Sequence, residues 1–507
     1  MSRIRTAIKT TAISHAFALT GIILSAVTVP LYLTWLGAER YGILLTGLSF
    51  AGYLMFSDAG LSWASMLLIS QAHGRGDKRT IQSILRTSFG LAVCSAMAVL
   101  LVVVAAYAAF THSAGYLPSI FPRHSEFPGL ALSIGASTIL TLLLSPIYNL
   151  FVGLQEAHVT AVYQGTGRLI GTATAIGMAA AGAPLGWIFA TNVAASLVVG
   201  IVAVVHCWKR HSWAFTREGP LWDPAQIRQQ VRVGAKSFMM QIGGVLWGTA
   251  PVMAISSMAG PQFVPFFTIP LTLINTPLAI VSSLSSNLQA GYGEAIARGE
   301  VEWIATTVTR FLRNTIVILG LLGCGYLLLS PALIDLWTHG KITTSPQMLA
   351  SVLIYAAMGS VLNVFRFALT GINRHKVAAL SDLACGLLAI VLAHVAVKSF
   401  GPDFFGLGIL AACLLTSVWI IPYSLRRALS SSQLWPTVGF WSRIGLVVLL
   451  TGSAGTAFSM LKLSSGAIFL SGGVVVVLTV YCLLIWKLLP EENQYLRSIV
   501  RTFRRKG

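Results

Sequence analysis

Charged side chains inside long apolar stretches are the residues of this sequence best suited to do chemistry. Arg366 lies several residues inside one apolar run, beside Asn363, and Lys236 and Arg168 lie near the ends of two others. A guanidinium fork grips phosphate oxygens through parallel hydrogen bonds, whereas an ammonium binds them as a point charge. We therefore expect these residues to bind an anionic group. For each cation alone, snorkelling to lipid headgroups or fixing the topology is the competing interpretation.

Asp58 is an acidic residue near the middle of an apolar run, too deep to snorkel, and nothing within its own helical turn can pair with it. A carboxylate in that position is typical of proton or sodium coupling, or of a structural partner for a cation on another helix. A role in helix packing alone is the alternative.

Uncharged polar residues in the apolar runs complete the candidate set. Asn275 and Gln241, together with Asn192 and Asn287, can donate hydrogen bonds to sugar hydroxyls in a wet cavity. Hydrogen bonding between helices is the commoner use of such side chains in membranes. His15 and His394 are single histidines in apolar runs, and a structural role is favoured over proton transport.

Composition indicates which elements must position these residues. Of 507 residues, 55% are hydrophobic and 10% charged, and the mean hydropathy is +0.78. These values lie outside the range of soluble domains, and a helix needs about 20 apolar residues to cross a bilayer core. The runs are continuous rather than alternating, which predicts helices and not a barrel. Fourteen spans are predicted, at 11–36, 42–70, 88–110, 129–152, 162–181, 184–206, 234–258, 262–290, 314–336, 346–370, 377–397, 404–425, 440–462 and 465–488.

The basic residues orient these spans. If the N-terminus is cytoplasmic, 29 of the 34 Lys and Arg residues fall on cytoplasmic segments or helix ends, and the exceptions are Arg40, Arg123, Lys341, Lys398 and Lys462. Cytoplasmic loops carry an excess of Lys and Arg, so both termini are expected in the cytoplasm, in a bacterial inner membrane. Topology and anionic headgroups then explain the net charge of +19, and no nucleic-acid partner is expected.

An internal repeat relates the first six spans to the next six. Four anchors align at offsets of 218 to 223 residues: Pro30 with Pro251, Gly37 with Gly260, 74–77 with 297–300, and 153–159 with 371–377. Such repeats are typical of transporters. We expect an N-terminal six-helix bundle at 1–210, a C-terminal six-helix bundle at 211–430, related by a pseudo-twofold axis along the membrane normal, and two additional helices with a basic cytoplasmic tail at 431–507.

Signals of catalysis are missing from the sequence. It contains no Walker A, G-x-S-x-G or H-E-x-x-H pattern, and the six cysteines stand singly with no C-x-x-C. The longest predicted external loop, 111–128, is short for a catalytic domain. We expect no enzyme activity, no cofactor and no metal.

Short motifs at the ends of the early spans resemble a known family. They are Leu36-Gly37-Ala38-Glu39-Arg40-Tyr41-Gly42, Ser57-Asp58-Ala59-Gly60-Leu61 and Gly153-Leu154-Gln155-Glu156. Together with the span count, topology and repeat, these motifs are similar to the polysaccharide transporter branch, the O-antigen and exopolysaccharide flippases, of the multidrug/oligosaccharidyl-lipid/polysaccharide exporter superfamily.

The resemblance implies a flippase that moves a polyprenyl-(pyro)phosphate-linked oligosaccharide to the outer leaflet by alternating access. Arg366, Lys236 and Arg168 would meet the phosphates, with Asn363, Asn275 and Gln241 on the headgroup. The last two spans would flank a groove for the lipid tail. The implied partners are the lipid-linked oligosaccharide, the bilayer, and the polysaccharide polymerase and export machinery. The driving force stays open between an ion gradient acting through Asp58, the membrane potential and removal of product.

Three rival functions remain open at this point. An ion-coupled multidrug or metabolite antiporter of the same superfamily would need acidic residues to attract a cation, and the intramembrane charges singled out above are mostly basic. A membrane polysaccharide polymerase or ligase would need a larger external loop. A scaffolding role without transport would use the basic residues structurally.

Overall fold

Helices make up the regular structure of the chain. The computed structural model describes residues 2–112, 126–215, 222–372, 374–429, 438–459 and 466–489. The α-helices are α1 (Ser2–Trp35), α2 (Gly37–Leu54), α3 (Leu61–Gly74), α4 (Lys78–His112), α5 (Phe127–Gly153), α6 (Ala157–Ala180), α7 (Leu185–Arg210), α8 (Pro224–Met258), α9 (Val264–Ala297), α10 (Val301–Thr338), α11 (Pro346–Gly371), α12 (His375–Phe400), α13 (Phe405–Leu415), α14 (Ser417–Leu429), α15 (Val438–Ser459) and α16 (Gly466–Leu488). Short 3₁₀ turns lie at Met55–Asp58, Ser212–Phe215, Pro261–Phe263 and Pro402–Phe404.

The helices correspond to the fourteen predicted spans once α2 with α3, and α13 with α14, are each taken as one broken span. Within the described residues, seven helices are long and apolar enough to cross a membrane, or eight if the bent α2–α3 pair is one span. Shorter apolar segments lie in α1, α15 and α16. The prediction of an all-α, multi-pass membrane protein with about fourteen helices is confirmed.

Two helices begin where the sequence places a capping residue before a proline. Asp223 Oδ1 accepts a hydrogen bond from the Ala225 N–H at 2.9 Å, and Pro224 opens α8. Ser345 Oγ accepts one from the Met348 N–H at 3.0 Å, and Pro346 opens α11. Proline is favoured at the first helical position because its missing N–H would have no partner there.

The predicted second span, 42–70, is interrupted in its middle. The α2 and α3 segments meet at an angle of 51°, across Ala59 and Gly60, whose φ values are 48° and 74°. A Cβ built on Gly60 would lie 2.3 Å from the Gly234 carbonyl oxygen, so glycine at this position lets α8 approach the break closely. Apolar periodicity carries no signal for such a break, because both halves are equally hydrophobic.

The chain forms two compact units, Met1–Pro265 and Phe266–Gly507. Helix α8 belongs to the first unit, where it packs on α2 and α3. Its Gln230 side chain is fully buried, accepts hydrogen bonds from Ser65 and Ser88 at 3.2 and 3.1 Å, and donates to the Ile84 carbonyl at 3.2 Å. The division into residues 1–210, 211–430 and 431–507 stays a prediction.

The core of unit 1 lies where α3, α4 and α5 meet. Its centre is fully buried and includes Ile69, Ile84, Leu85, Leu150 and Phe151. Burying a side chain of this size stabilises a fold by about 1.5–3 kcal/mol, so this cluster holds the three helices together, and α3 in turn packs against α8.

The repeat recurs in matching turns of the two units. Gly76 and Gly299 have φ values of 72° and 75°, and the Asp77 and Glu300 N–H groups bond to the Ala72 and Ala295 carbonyls. The close helix contacts also correspond. A Cβ on Gly153 would meet Met66 and Ile69, and a Cβ on Gly371 would meet Gln289 and Tyr292. Gln289 and Tyr292 each lie 223 residues after their counterparts Met66 and Ile69.

A charged clamp ties three chain segments of unit 1 together. Arg40 Nε lies 2.8 Å from Glu126 Oε1, and its Nη2 donates to Glu126 Oε2 and to the Ala183 carbonyl, each at 2.9 Å. Glu126 Oε2 also accepts from the Leu185 N–H at 2.7 Å. One carboxylate therefore joins the starts of α2, α5 and α7.

Replacing Glu126 with glutamine is expected to lower the free energy of unfolding by about 1–3 kcal/mol, because the amide presents a donor to groups that are themselves donors. Reversible unfolding in mixed micelles measures this loss. The control is Glu39→Gln, an exposed carboxylate beside Arg40, with an expected loss within about 0.5 kcal/mol. Equal losses in the two variants would contradict the clamp.

Candidate functional site

A cavity of about 420 Å³ lies between α1, α2 and α6 of unit 1. This volume falls in the range of small-molecule sites, about 300–1,000 Å³. Its wall is mostly apolar with a few polar groups, which is the usual composition of a specific binding site. The polar groups are on Ser25, Thr28, Tyr32, Tyr41, Gln164, Arg168 and Thr172.

Helix α6 presents one cation to this cavity. Ala161, Gln164, Arg168 and Thr172 line it and recur every three or four residues, so they share one face of the helix. The opposite face carries small residues and packs on α7, where a Cβ on Gly171 would lie 2.9 Å from the Cα of Asn192. Asn192 is therefore at a helix contact, as the interhelical interpretation expects.

Arg168 is accessible in the cavity. Among the described residues no side chain forms a hydrogen bond or an ion pair with it. A cation inside a membrane protein without a protein partner is costly unless water or a ligand solvates it. Gln164 stands one turn before Arg168 and adds an amide that can both donate and accept.

Two tyrosines form the inner part of the same cavity. The rings of Tyr32 and Tyr41 lie 5.9 Å apart in an edge-to-face arrangement, and both side chains are buried. Thr28 donates its hydroxyl to the Leu24 carbonyl at 2.6 Å, which leaves its oxygen as an acceptor toward the cavity. The site thus combines Arg168, which has no side-chain partner among the described residues, with groups that donate and accept hydrogen bonds.

Asp58 lies at the break between α2 and α3 and is buried. Its carboxylate accepts from the Ser62 N–H at 3.2 and 3.3 Å and from Ser62 Oγ at 2.9 Å. In an unbroken helix the Ser62 N–H would bond to the Asp58 carbonyl, so the break makes this N–H available to the carboxylate. The observed contacts cap the first turn of α3.

Arg366 lies in unit 2 and is bound to a carboxylate that sequence analysis missed. Its Nε and Nη2 lie 2.8 and 2.6 Å from Asp382 Oδ1, and its Nη1 donates to Asn363 Oδ1 at 3.1 Å. Both charged side chains are largely buried, with 15% and 13% exposed. Arg366 and Asn363 are therefore in direct contact. The fork predicted to hold phosphate instead holds Asp382.

A sequence signal for the Arg366–Asp382 pair exists. Asp382 is an acidic residue inside the predicted span 377–397, and α11 and α12 are joined by a tight turn at 372–374. Arg366 precedes that turn by six residues and Asp382 follows it by eight, so an antiparallel hairpin places them at one level. Oppositely charged residues at similar distances from a short connection between helices predict such a pair.

Among the residues that the structure describes, no other predicted site residue lines the cavity of unit 1. Gln241 lies on α8, and its buried Oε1 has no hydrogen-bond partner in the described part of the chain. Asn275 lies exposed on α9 of unit 2. Lys236 lies on α8, and its side chain is outside the described residues, as are the side chains of Asn287 and His15. Gln164 also lines the cavity, and the sequence indicates it only through its spacing of four residues to Arg168.

An apolar groove of about 770 Å³ lies in unit 2. It is lined by α10, α11, α15 and α16, the last two being the additional helices outside the repeat. Glycines widen it at Gly320, Gly323, Gly445 and Gly452. Such a groove accommodates a chain of hydrocarbon dimensions.

In the described ranges no group of three or more His, Cys, Asp or Glu side chains could hold a metal ion. The groups that converge in unit 1 are suited to oxygen atoms of a ligand, and the groove in unit 2 is suited to apolar surface.

Solved structures share this fold. An inward closed conformation of the lipid II flippase MurJ matches with a TM-score of 0.72 and 12% identity, over 96% of this chain and 100% of that one. An inward-facing multidrug resistance MATE family transporter of the MOP superfamily matches with a TM-score of 0.58 and 15% identity, over 81% and 98%. The Vibrio cholerae MATE transporter VcmN in the bent form matches with a TM-score of 0.56 and 14% identity, over 85% and 98%.

Sequence comparison adds the family. No curated protein matches the sequence. The profile of a family described as polysaccharide biosynthesis protein matches residues 8–289. These residues include α2 to α8 and the part of α1 that lines the cavity. Since that match covers more than half of the 507 residues, the chain belongs to the polysaccharide biosynthesis protein family.

Proposed function

We propose that the protein is a flippase for a polyprenyl-(pyro)phosphate-linked oligosaccharide. The observation that carries the proposal is Arg168 in the cavity of unit 1, which lies beside Gln164 and has no side-chain partner among the described residues. Membership of a polysaccharide biosynthesis family and a fold shared with a lipid II flippase support the same substrate class.

The cavity of unit 1 suits the polar end of such a substrate. Arg168 offers a planar donor set that matches phosphate oxygens, and charge-assisted bonds of this kind are the stronger class of hydrogen bond. Gln164 and the hydroxyl groups of the wall suit sugar hydroxyls, which both donate and accept. Phosphate and sugar together would satisfy the groups that the protein leaves open.

The apolar groove of unit 2 suits the other end of the substrate. Its wall includes Leu319, Leu327, Leu353 and Val448, and its lining is apolar on all four helices. A polyprenyl chain would stay in contact with lipid there while the headgroup crosses. The substrate would move by alternating access with no covalent step.

The remaining site residues keep assigned roles within this proposal. Lys236, Asn275 and Gln241 would contact the headgroup, and Asp58 would couple movement to an ion gradient. Arg366 would reach phosphate only when Asp382 releases it, so its role is either a switched phosphate contact or a structural pair. The protein would lie in the bacterial inner membrane with cytoplasmic termini, beside the polysaccharide polymerase and export machinery.

Transbilayer movement of a fluorescent polyprenyl-pyrophosphate-linked oligosaccharide in proteoliposomes tests the proposal. Arg168→Gln is expected to lower the initial rate about tenfold or more, because a charged hydrogen bond contributes about 1.5–3 kcal/mol. The matched control is Arg79→Gln, an exposed arginine outside the cavity, which should leave the rate unchanged.

Two outcomes would overturn the proposal. One is export of a cationic dye with no movement of the labelled lipid, which would place the chain among the antiporters. The other is equal rates for wild type and Arg168→Gln. A proton gradient imposed on wild type and on Asp58→Asn separates coupling from structure, since loss of the gradient dependence in the variant assigns coupling to Asp58.

A further inference from the structure

The turn between α5 and α6 in unit 1 has a counterpart between α11 and α12 in unit 2. The Leu154 N–H bonds to Leu150 O at 2.9 Å, and the Ile372 N–H to Ala368 O at 3.0 Å. Two residues later, the Glu156 N–H bonds to Phe151 O at 2.7 Å, and the Arg374 N–H to Leu369 O at 2.8 Å. Glu156 and Arg374 therefore occupy the same place in the two copies of the turn.

In unit 1 this place holds one half of an ion pair. Glu156 Oε1 accepts from Arg210 Nη2 at 2.8 Å, and its Oε2 lies 3.1 Å from His211 Nε2. Arg210 and His211 stand at the end of α7, the last helix of the first repeat. The carboxylate thus joins the turn to the end of that helix.

In unit 2 the carboxylate is replaced by a cation. Arg374 and Arg427 line a cavity of about 430 Å³ with Leu369, Val377, Tyr423 and Ser424. Arg427 stands in the last turn of α14, as Arg210 does in the last turn of α7, and the separation of 217 residues is within one residue of the offset of 218 between the two turns. Both arginines are exposed, and within the described ranges neither side chain has a hydrogen bond or an ion pair.

The charge reversal explains why this cavity needs an anion. Two guanidinium groups beside one cavity repel one another, whereas an anion between them would restore the attraction that Glu156 supplies in unit 1. Tyr423 and Ser424 add hydroxyl donors to the same space. Two arginine forks and two hydroxyls match the tetrahedral oxygens of a phosphate group.

The surroundings of the cavity indicate where that phosphate comes from. One exposed face of α14 carries a residue at every fourth position: Trp419, Tyr423 and Arg427. Along this face the side chains change from apolar to amphipathic to charged. Tryptophan and tyrosine lie at the headgroup level of membranes. On α12, Leu380 and Leu387 follow Val377 on an exposed apolar face, on which acyl chains can lie.

We propose that the cavity between Arg374 and Arg427 binds the phosphate group of an anionic phospholipid, on the side that the basic residues predict to be cytoplasmic. The site is separate from the Arg168 cavity and holds whether or not the protein is a flippase.

Native mass spectrometry of the full chain with phosphatidylglycerol, and with phosphatidylcholine of the same acyl chains, tests the proposal. Wild type should retain phosphatidylglycerol with a preference of about tenfold or more, because each basic residue near a membrane surface contributes about 1 kcal/mol. Arg374→Gln/Arg427→Gln should lose that preference. Arg426→Gln, which removes the same charge from the neighbouring residue outside the cavity, should retain it. No preference in wild type, or its loss in Arg426→Gln alone, would overturn the proposal.

A second variant keeps the test independent of folding. Arg374→Glu recreates the acid that unit 1 carries at this place. In a zwitterionic detergent it should have a higher Tm than wild type, and phosphatidylglycerol should raise the Tm of wild type but not of the variant. A lower Tm in Arg374→Glu would contradict the repulsion between the arginines. The Tm of wild type is also measured with glycerol phosphate and with inorganic phosphate. If either raises the Tm as much as the lipid does, the lipid assignment is wrong.

Discussion

Replacing Asp382 with alanine is expected to lower the free energy of unfolding by about 3–5 kcal/mol, because it leaves the Arg366 guanidinium largely buried without its carboxylate. Asn363 would remain as a partner, and a neutral amide oxygen compensates only part of a lost ionic contact. Reversible unfolding in mixed micelles measures the loss. Arg210→Ala is a control, since Arg210 is half-exposed in its pair with Glu156 and should cost at most about 1 kcal/mol.

The double variant Arg366→Met/Asp382→Leu separates the two roles left open for Arg366. Removing both charges is expected to restore most of the stability, since apolar residues can replace a buried pair without net cost. If the stable double variant still moves the labelled lipid, the pair is structural. If it is stable and inactive, Arg366 contacts the substrate. A double variant less stable than either single variant would contradict the pairing itself.

Gly60→Ala is expected to destabilise the protein by about 2–5 kcal/mol. About 1–2 kcal/mol comes from placing a Cβ at a φ of 74°. A further 1–3 kcal/mol or so comes from overpacking, because that Cβ would lie 2.3 Å from the Gly234 carbonyl oxygen, on backbone that cannot rotate away.

Gly76→Ala is the matched control for the Gly60 variant. Gly76 has a φ of 72°, and no atom lies within 4 Å of a Cβ built on it. The difference between the two variants therefore isolates the contact with α8 from the backbone strain. Equal losses would show that α8 does not depend on the close approach at the break.

The sequence alone predicts the helices well, because continuous apolar runs bounded by charge correspond to one physical requirement, the length of a bilayer core. It also predicts the repeat from a few glycine-containing turns, and Gly76 and Gly299 show why those residues persist. Both turns need a left-handed backbone conformation, which glycine adopts at little cost.

The candidate site is less predictable, because it depends on which residues face each other. The sequence identifies Arg168 as an intramembrane cation but not Gln164 as its neighbour in a cavity, since α1 and α2 supply the remaining wall. It assigns Arg366 to phosphate because Asp382, on the next helix, is left out. The Asp58 carboxylate accepts the Ser62 N–H only because the helix breaks, and hydrophobic periodicity does not report that break.

The clamp at Arg40 has a consequence for biosynthesis. Its partners lie 86 and 143 residues further along the chain, so at about 5–20 residues per second the ribosome needs roughly 7–30 s to deliver both after Arg40 has been made. During that interval the cation must be kept in water or beside lipid phosphates. The first two spans therefore enter the bilayer before the contact that fixes them exists, and α7 completes the assembly of helices synthesised well before it.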